Sequence, residues 1–211
     1  MRVAYFLENL SATAPAPAFA RLIPHLKQAR IDFRCFTSSP LAGLAASDEV
    51  ISLQPFSATL FPDQEAAQAL SDSVSRRLAA FQPQVIHLGD TSLLSLLGLG
   101  YARSEQLPLV ATYSPQEDDG AEAGYLRWFY GACQLVLVEN DRAAQALQRL
   151  GLTHARIARL TAGNALVRSR QLSVYYQRLR RGSVVVPDDV TRPLRRRTAE
   201  HVVAVPQLAA I

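Results

Sequence analysis

The chain has 211 residues, 49% hydrophobic and 19% charged, which is enough to bury one substantial core and is a normal size for a single α/β domain. Its formal net charge of +4 is mild and comes from 21 arginines and one lysine, and no apolar stretch reaches the roughly 18 residues of a membrane span. The N-terminus lacks the basic start and long apolar run of a signal peptide, and Cys35 and Cys133 sit in apolar surroundings without metal-like spacing. These features predict a chain of the reducing cytoplasm with buried thiols, soluble or held only at the inner face of a membrane.

Arg2–Leu7 (RVAYFL) reads as the first, central strand, and Phe19–Arg30 as a helix with Phe19, Leu22, Ile23 and Leu26 at helical spacing. Pro24 inside that stripe predicts a kink or a late helix start. The loop between them, Glu8–Ala18 (ENLSATAPAPA), holds no glycine, and Pro15 and Pro17 each remove an amide donor, which argues against a phosphate cradle. Ile31–Thr37 alternates as a second strand, and Glu49–Leu53 forms a short third one after a turn-rich connection. Gln54–Pro62 is an irregular loop with Phe56 and Phe61. Gln64–Phe81 spaces Ala67, Leu70, Val74, Leu78 and Phe81 as an amphipathic helix, which Pro83 ends.

The stretch from Pro83 to Tyr113 organises the rest. Val85–Leu88 is an apolar run ending in the polar turn Gly89–Ser92, Leu93 to about Arg103 is an apolar helix, and Leu109–Thr112 is a second apolar run. That order predicts a βαβ unit of a parallel sheet, with Asp90, Thr91 or Ser92 capping the helix. Ligands in such sheets sit beyond the carboxyl ends of the strands, so Gly89–Ser92 and Tyr113–Asp119 should share the rim that holds any site.

Glu117, Asp118, Asp119 and Glu122 bunch on the next turn, and without a nearby histidine they read as a solvated loop rather than a metal site. Gly124–Ala132 is an aromatic helix whose Tyr125, Trp128 and Phe129 are expected in the core, with the only tryptophan anchoring it to the sheet. Leu135–Val138 is another strand, Glu139, Asn140 and Asp141 cap the helix Arg142–Leu150, Gly151 stops it, and Arg156–Leu160 is a short strand. Leu166–Arg181 sets Leu172, Tyr175, Tyr176 and Leu179 on one helical side among arginines. Residues 182–211 carry two valine-rich patches, Ser183–Val186 and His201–Val205, read as edge strands or as a partly disordered tail. The late arginines (Arg178, Arg180, Arg181, Arg192, Arg195, Arg196, Arg197) read as a solvated face and tail ahead of a patch for anionic lipid, phosphate or an acidic partner.

A Walker A lysine motif, a GxGxxG turn after a strand and any nucleic-acid-binding module are all missing, and His25, His154 and His201 form no triad with a serine. His87, inside an apolar strand, reads as a hydrogen-bonded structural histidine before a catalyst, and Asp90 as a helix cap before a ligand contact.

HLGDTSLL (87–94), LPLVATYS (107–114) and LRWFYGACQLVLVENDRAAQALQRLG (126–151), in this order and at these intervals, resemble the amino-terminal domain of the family 4, GT-B type glycosyltransferases over about Met1–Gly163. That family shows H-x-H-[DE]-x-S, then T-x-H-T, then an arginine-tryptophan-tyrosine helix leading to D-L-V-L-x-x-S. The resemblance implies a single doubly wound α/β domain with a mostly parallel, Rossmann-like sheet of six or seven strands over 1–164. It further implies a closing helix over 165–181, of the kind that returns from a second, donor-binding domain, and leaves 182–211 as a basic tail. The acceptor-binding group it implies is Glu8, Asn9, Asp90, Thr91, Tyr113, Ser114 and Arg127, with Gln54–Pro62 either contributing or merely capping the sheet edge.

The departures from the family are specific. The paired glycines of its phosphate loop are absent from 8–18, its second motif histidine is Gly89, and the T-x-H-T histidine is Ser114, which cannot act as an imidazole near neutral pH. The length is also too short for a donor domain. No catalytic residue is assigned, Ser114, His87 and Asp90 being the candidates, and no metal or cofactor is expected, with a nucleotide sugar bound only if a donor domain completes the site. The expected role is a glycosyltransferase-like protein without autonomous catalysis, a binding or scaffolding partner in polysaccharide or glycolipid synthesis. A protein partner or second copy is expected, peripheral membrane contact through arginines is open, and nucleic acid is not expected. The alternative is the acceptor-binding half of a split glycosyltransferase, transferring a hexosyl or other glycosyl group from a nucleotide sugar held by a separate donor-domain chain.

Overall fold

The seven apolar runs become seven strands: β1 (Arg2–Phe6), β2 (Asp32–Thr37), β3 (Val50–Ser52), β4 (Val85–Leu88), β5 (Leu109–Tyr113), β6 (Leu135–Val138) and β7 (Ile157–Arg159). Between and after them lie α1 (Ala16–Gln28), α2 (Gln64–Phe81), α3 (Leu93–Ser104), α4 (Ala123–Gly131), α5 (Asp141–Arg149) and α6 (Ala165–Arg180). These assignments come from a computed structural model that describes residues 1–8, 16–38, 50–53, 64–115, 123–160 and 164–182. The valine-rich patches, the acidic bunch at 117–122 and the loop carrying Phe56 and Phe61 lie outside those residues.

All the strands run parallel in the order β3-β2-β1-β4-β5-β6-β7. Chain order proceeds outward from β1 in one direction and from β4 in the other, so the topological switch point lies between β1 and β4. Strands β4 and β6 are buried at every residue because helices cover both faces of the sheet. On one face, α2, α3, α4 and α5 pack over Phe6, Phe36, Ile86, Leu88, Ala111 and Val136. On the other, α1 and α6 pack over Val3, Tyr5, Cys35, Val85, Val110 and Leu137.

Three local outcomes refine the sequence reading. α1 runs continuously from Ala16 to Gln28 with Pro24 inside it, so there is no late start; Pro24 is exposed, where an unpaired carbonyl can bond water. Pro17 falls in the first turn, where a missing amide costs no helical bond. Trp128 does not anchor α4: the buried anchors are Leu126, Phe129 and Tyr130, while Trp128 is 48% exposed beneath the guanidinium of Arg103, 5.6 Å from its ring. Nine residues at helical pitch turn only one face inward, and Trp128 falls on the other.

Several helices end in the left-handed region, most of them without glycine. Arg30 (φ 58), Gln82 (φ 51) and Gln106 (φ 54) take the place that Gly151 (φ 93) occupies after α5. At Arg30, Gln106 and Gly151 the next amide bonds back five residues, Ile31 to Leu26, Leu107 to Ala102 and Leu152 to Leu147, which is the Schellman arrangement.

Candidate functional site

The carboxyl ends of β1 and β4 are tied by one carboxylate. Asp90 Oδ2 accepts from the amide of Glu8 at 2.7 Å, while Oδ1 accepts from the Ser92 amide (3.1 Å), the Ser92 hydroxyl (2.6 Å) and the Ser95 hydroxyl (2.6 Å). Ser92, not Asp90, is the N-cap of α3, accepting from the Ser95 amide, so Asp90 supports the cap from behind and braces it to β1. On the other side, the Glu8 carbonyl accepts from Thr37 Oγ1 (2.9 Å), Ser38 Oγ (2.9 Å) and the Ser38 amide (3.1 Å), which extends the brace to the end of β2. A further hydrogen bond reaches α4, where the Tyr125 hydroxyl donates to the Thr91 carbonyl at 2.8 Å. The switch point is therefore a rigid lip in which side-chain oxygens hold three strand ends in place.

Gly89 explains why only half of a histidine pair is present. A Cβ here would stand 2.8 Å from Tyr5 Cε1, 2.9 Å from the Tyr5 hydroxyl and 3.0 Å from the Phe6 carbonyl. The space a second imidazole would need is taken by Tyr5, and the Gly89 amide instead donates to the Phe6 carbonyl at 2.7 Å.

His87 lies one layer below this lip, 1% exposed. Its Nδ1 meets the Tyr176 hydroxyl of α6 and its Nε2 meets Thr112 Oγ1 at 2.8 Å, while the Tyr5 ring tilts against it at 4.4 Å. One nitrogen donates and the other accepts, as a neutral imidazole requires. Burial holds its pKa down to about 3, so the ring is neutral at physiological pH. Burial likewise pushes Tyr5 and Tyr176 up, and Tyr5 is itself hydrogen-bonded to Thr112. The Cys35 thiol is also pushed up by burial and then by the nearby Asp90 charge, and Cys133 by burial to about 12, which makes both protonated, inert core thiols.

The residues singled out in the sequence therefore divide. Glu8, Asp90 and Thr91 come together at the lip, and Ser114 is exposed just past the neighbouring strand end. Tyr113 points into the core, 2% exposed with its ring edge-on to Tyr130 at 5.2 Å. Arg127 belongs to another surface, donating from Nε to the Leu150 carbonyl at the end of α5 (2.8 Å). Asn9 lies outside the described residues. What the sequence reading missed is Ser95, Tyr5 and Tyr176; the Asp90, Ser92, Ser95 spacing was a usable signal for the first, while nothing local connects Tyr176 to His87. Among the described residues, no group of histidine, cysteine or carboxylate side chains could hold a metal ion, and no helix is long and apolar enough to cross a membrane.

The described end of the chain also converges on this rim. Asn164 caps α6 by accepting from the Val167 amide, and Arg168 pairs with Glu139, just past β6, at 2.6 Å. Further along, the Ser173 hydroxyl donates to the Ala29 carbonyl, so α6 lies across the sheet beside α1.

A family model described as Glycosyltransferase Family 4 matches residues 18–163. Among solved structures, the chain is similar to a sucrose-phosphate synthase chain from Thermosynechococcus elongatus, described by the ranges 27–220 and 406–426 (TM-score 0.65, 16% identity, covering 85% of this chain and 99% of that one). It is also similar to UDP-GlcNAc 2-epimerases from Methanocaldococcus jannaschii (TM-score 0.56, 12% identity, covering 83% of this chain and 49% of that one) and Neisseria meningitidis, the latter bound to UDP-GlcNAc (TM-score 0.54, 11% identity, 85% and 51%). The chain thus spans about half the length of those epimerase chains, and at these identities the likeness is one of fold. No match is found among curated proteins.

Proposed function

From the premise that the chain belongs to Glycosyltransferase Family 4, whose model covers more than half of it, we propose that it works as a binding or scaffolding module of polysaccharide or glycolipid synthesis and does not catalyse transfer by itself. The observation that carries this reading is the state of His87: buried, neutral, and engaged at both nitrogens, it has no free lone pair to offer an acceptor hydroxyl at the rim. Asp90 spends both carboxylate oxygens on Glu8, Ser92 and Ser95, and Ser114 is a hydroxyl without a described base. What remains at the lip is a set of fixed polar groups suited to holding a hydroxylated ligand or a partner loop. Titration calorimetry of the full chain with UDP- and GDP-sugars should give no binding heat; tight binding would overturn the reading.

A second reading has its own support. α6 crosses back beside α1, and the sucrose-phosphate synthase chain of similar fold is described by an early range joined to a short later one, as a domain with a returning helix would be. In this reading the chain supplies the acceptor side of a two-part transferase whose donor lobe is a separate chain. Copurification from the source cells that brings down a donor-type chain, together with sugar transfer by the pair and not by either alone, would favour it over scaffolding.

A further inference from the structure

α1 and α6 lie side by side over one face of the sheet, and they carry charge of one sign. Residues 16–30 hold Arg21, Lys27 and Arg30 and no carboxylate. Residues 164–182 hold Arg168, Arg170, Arg178, Arg180 and Arg181, again with no carboxylate. The whole chain has 22 basic and 18 acidic residues, so with eight of the basic ones here, the other 14 against 18 leave the rest of the chain at −4. The segment after α6 does not offset the excess, because Asp188, Asp189 and Glu200 are outnumbered by Arg192, Arg195, Arg196 and Arg197. Among the described residues, Arg168 alone of the eight is ion-paired, with Glu139. Cations near a helix C-terminus answer its dipole, but two dipoles supply only about one negative charge between them.

The outward side of α6 has a pattern as well as a charge. Helical pitch sets Val167, Arg170, Val174, Arg178 and Arg181 on one arc of about 80°, opposite the buried Ser169, Leu172 and Tyr176. Val167 is 43% exposed and Val174 38%, seven residues apart, with Arg170 exposed between them. A heptad step of branched apolar residues bracketed by one sign of charge is half of a helix–helix seam. The neighbouring α1 adds Arg21 and Lys27 at exposed positions.

We infer that the outer face of α1 and α6 seats an acidic amphipathic helix of another protein, its apolar edge on Val167 and Val174 and its carboxylates among the arginines. Charge complementarity selects a negative occupant and sets two copies of this face against each other. The make-up of the face then selects a helix among negative occupants. Among the described residues, α1 and α6 expose no aromatic ring, which a bilayer would hold at headgroup level and a nucleic-acid strand would stack on. The two valines offer a phosphate nothing, but they hold the i and i+7 places that an incoming helix uses as anchors. The inference adds a partner to the module proposed above without resting on it: a sugar nucleotide bound at the rim would overturn that reading and leave this one.

The probe is a labelled synthetic helix of three heptads, with leucine at the first and fourth place of each and glutamate and alanine elsewhere. Its binding to the full chain is followed by fluorescence anisotropy beside polyglutamate, phosphatidylglycerol vesicles and an RNA duplex. The helix should bind at least about tenfold more tightly than polyglutamate, and salt should weaken it. Arg170→Gln with Arg178→Gln should weaken it about tenfold, roughly threefold for each exposed charge. Val167→Ser with Val174→Ser should also weaken it roughly tenfold while leaving any polyglutamate binding unchanged, since only the apolar seam is removed. All four positions are on the outward arc, and thermal unfolding should be unaltered. Failure of the helix to bind, binding no tighter than that of polyglutamate, or binding untouched by both pairs of substitutions would overturn the proposal. Preference for the vesicles or the duplex would overturn it in favour of lipid or nucleic acid. Association of the chain with itself in light scattering, abolished by the arginine pair, would overturn it in favour of a second copy.

Discussion

On one side of the sheet Phe6 stacks on Phe36 at 4.8 Å and lies against the bare Cα of Gly98; on the other, one residue earlier in the same strands, Tyr5 lies between Cys35 and His87. The first side is held by shape. Any apolar group that fills the space between β1 and α3 would serve, and the glycine is there because the ring needs the room. The second side is held by direction. Tyr176 of α6 must present its hydroxyl to His87, which must present its other nitrogen to Thr112, so α6 has a chemically preferred seat across the sheet. The contrast suggests that packing on the helix-rich side is general to the fold, whereas the polar chain specifies where the last helix goes.

The sharpest way to break that contrast is to empty the shape-held side. Phe6→Ala should lower unfolding stability in urea by about 3–5 kcal/mol. Gly98→Ala tests the same contact from the other partner: the new Cβ would stand 2.7–2.9 Å from three atoms of the Phe6 ring, a distance no real side chain tolerates. A loss of about 1–3 kcal/mol is expected despite the better helix propensity of alanine. Combining it with Phe6→Leu should cost less than the sum of the two changes, because both act on one space.

The direction-held side predicts a different signature. Tyr176→Phe keeps the volume and removes one hydroxyl, leaving a nitrogen of buried His87 unpaired, for a loss of about 1–3 kcal/mol. Thr112→Val should show coupling with it in a double-mutant cycle, while neither should couple to Phe6→Ala across the sheet.

Titration separates the two sides again. The pKa of His87 is about 3 in the folded chain, against about 6.5 when unfolded. The unfolded state therefore takes up a proton that the folded state refuses, so stability is full above pH 6.5 and falls as pH drops from there toward 3. Each unit in that window costs at most about 1.4 kcal/mol, so urea denaturation at pH 5 should show a loss of about 2 kcal/mol relative to neutral pH. His87→Gln should remove that part of the slope, and Phe6→Ala should leave it intact.

Most of the fold was legible because the signals were local. Gln64–Phe81 was marked by apolar spacing and a following proline, and Val85–Leu88 and Leu135–Val138 by continuous apolar runs that only a two-sided sheet can bury. The rim was legible in outline, since a polar turn after a buried strand marks the carboxyl edge. Its detail was not. Tyr176 lies 89 residues from His87, and that contact depends on how α6 seats against α1, a property of the whole fold. Trp128 was misplaced for a related reason: large aromatics are usually buried, but within one short helix Leu126, Phe129 and Tyr130 already fill the inward face.

The smallest expected effect asks whether the two sides differ in their interiors alone. Both sides finish a helix with a left-handed residue that carries a side chain, Gln106 after α3 and Arg30 after α1, each followed by an amide bonding back five residues. A side chain in that conformation crowds its own carbonyl, a strain that glycine lacks, although glycine loses more backbone freedom on folding. The balance favours glycine, so Gln106→Gly and Arg30→Gly should each raise stability by about 0.5–1 kcal/mol in urea denaturation. Equal gains would locate the difference between the two sides in their cores. A gain at Gln106 with a loss at Arg30 would mean that the α1 end has a further role, for which the contact of the Met1 amino group with the Arg30 carbonyl at 3.2 Å is the first place to look.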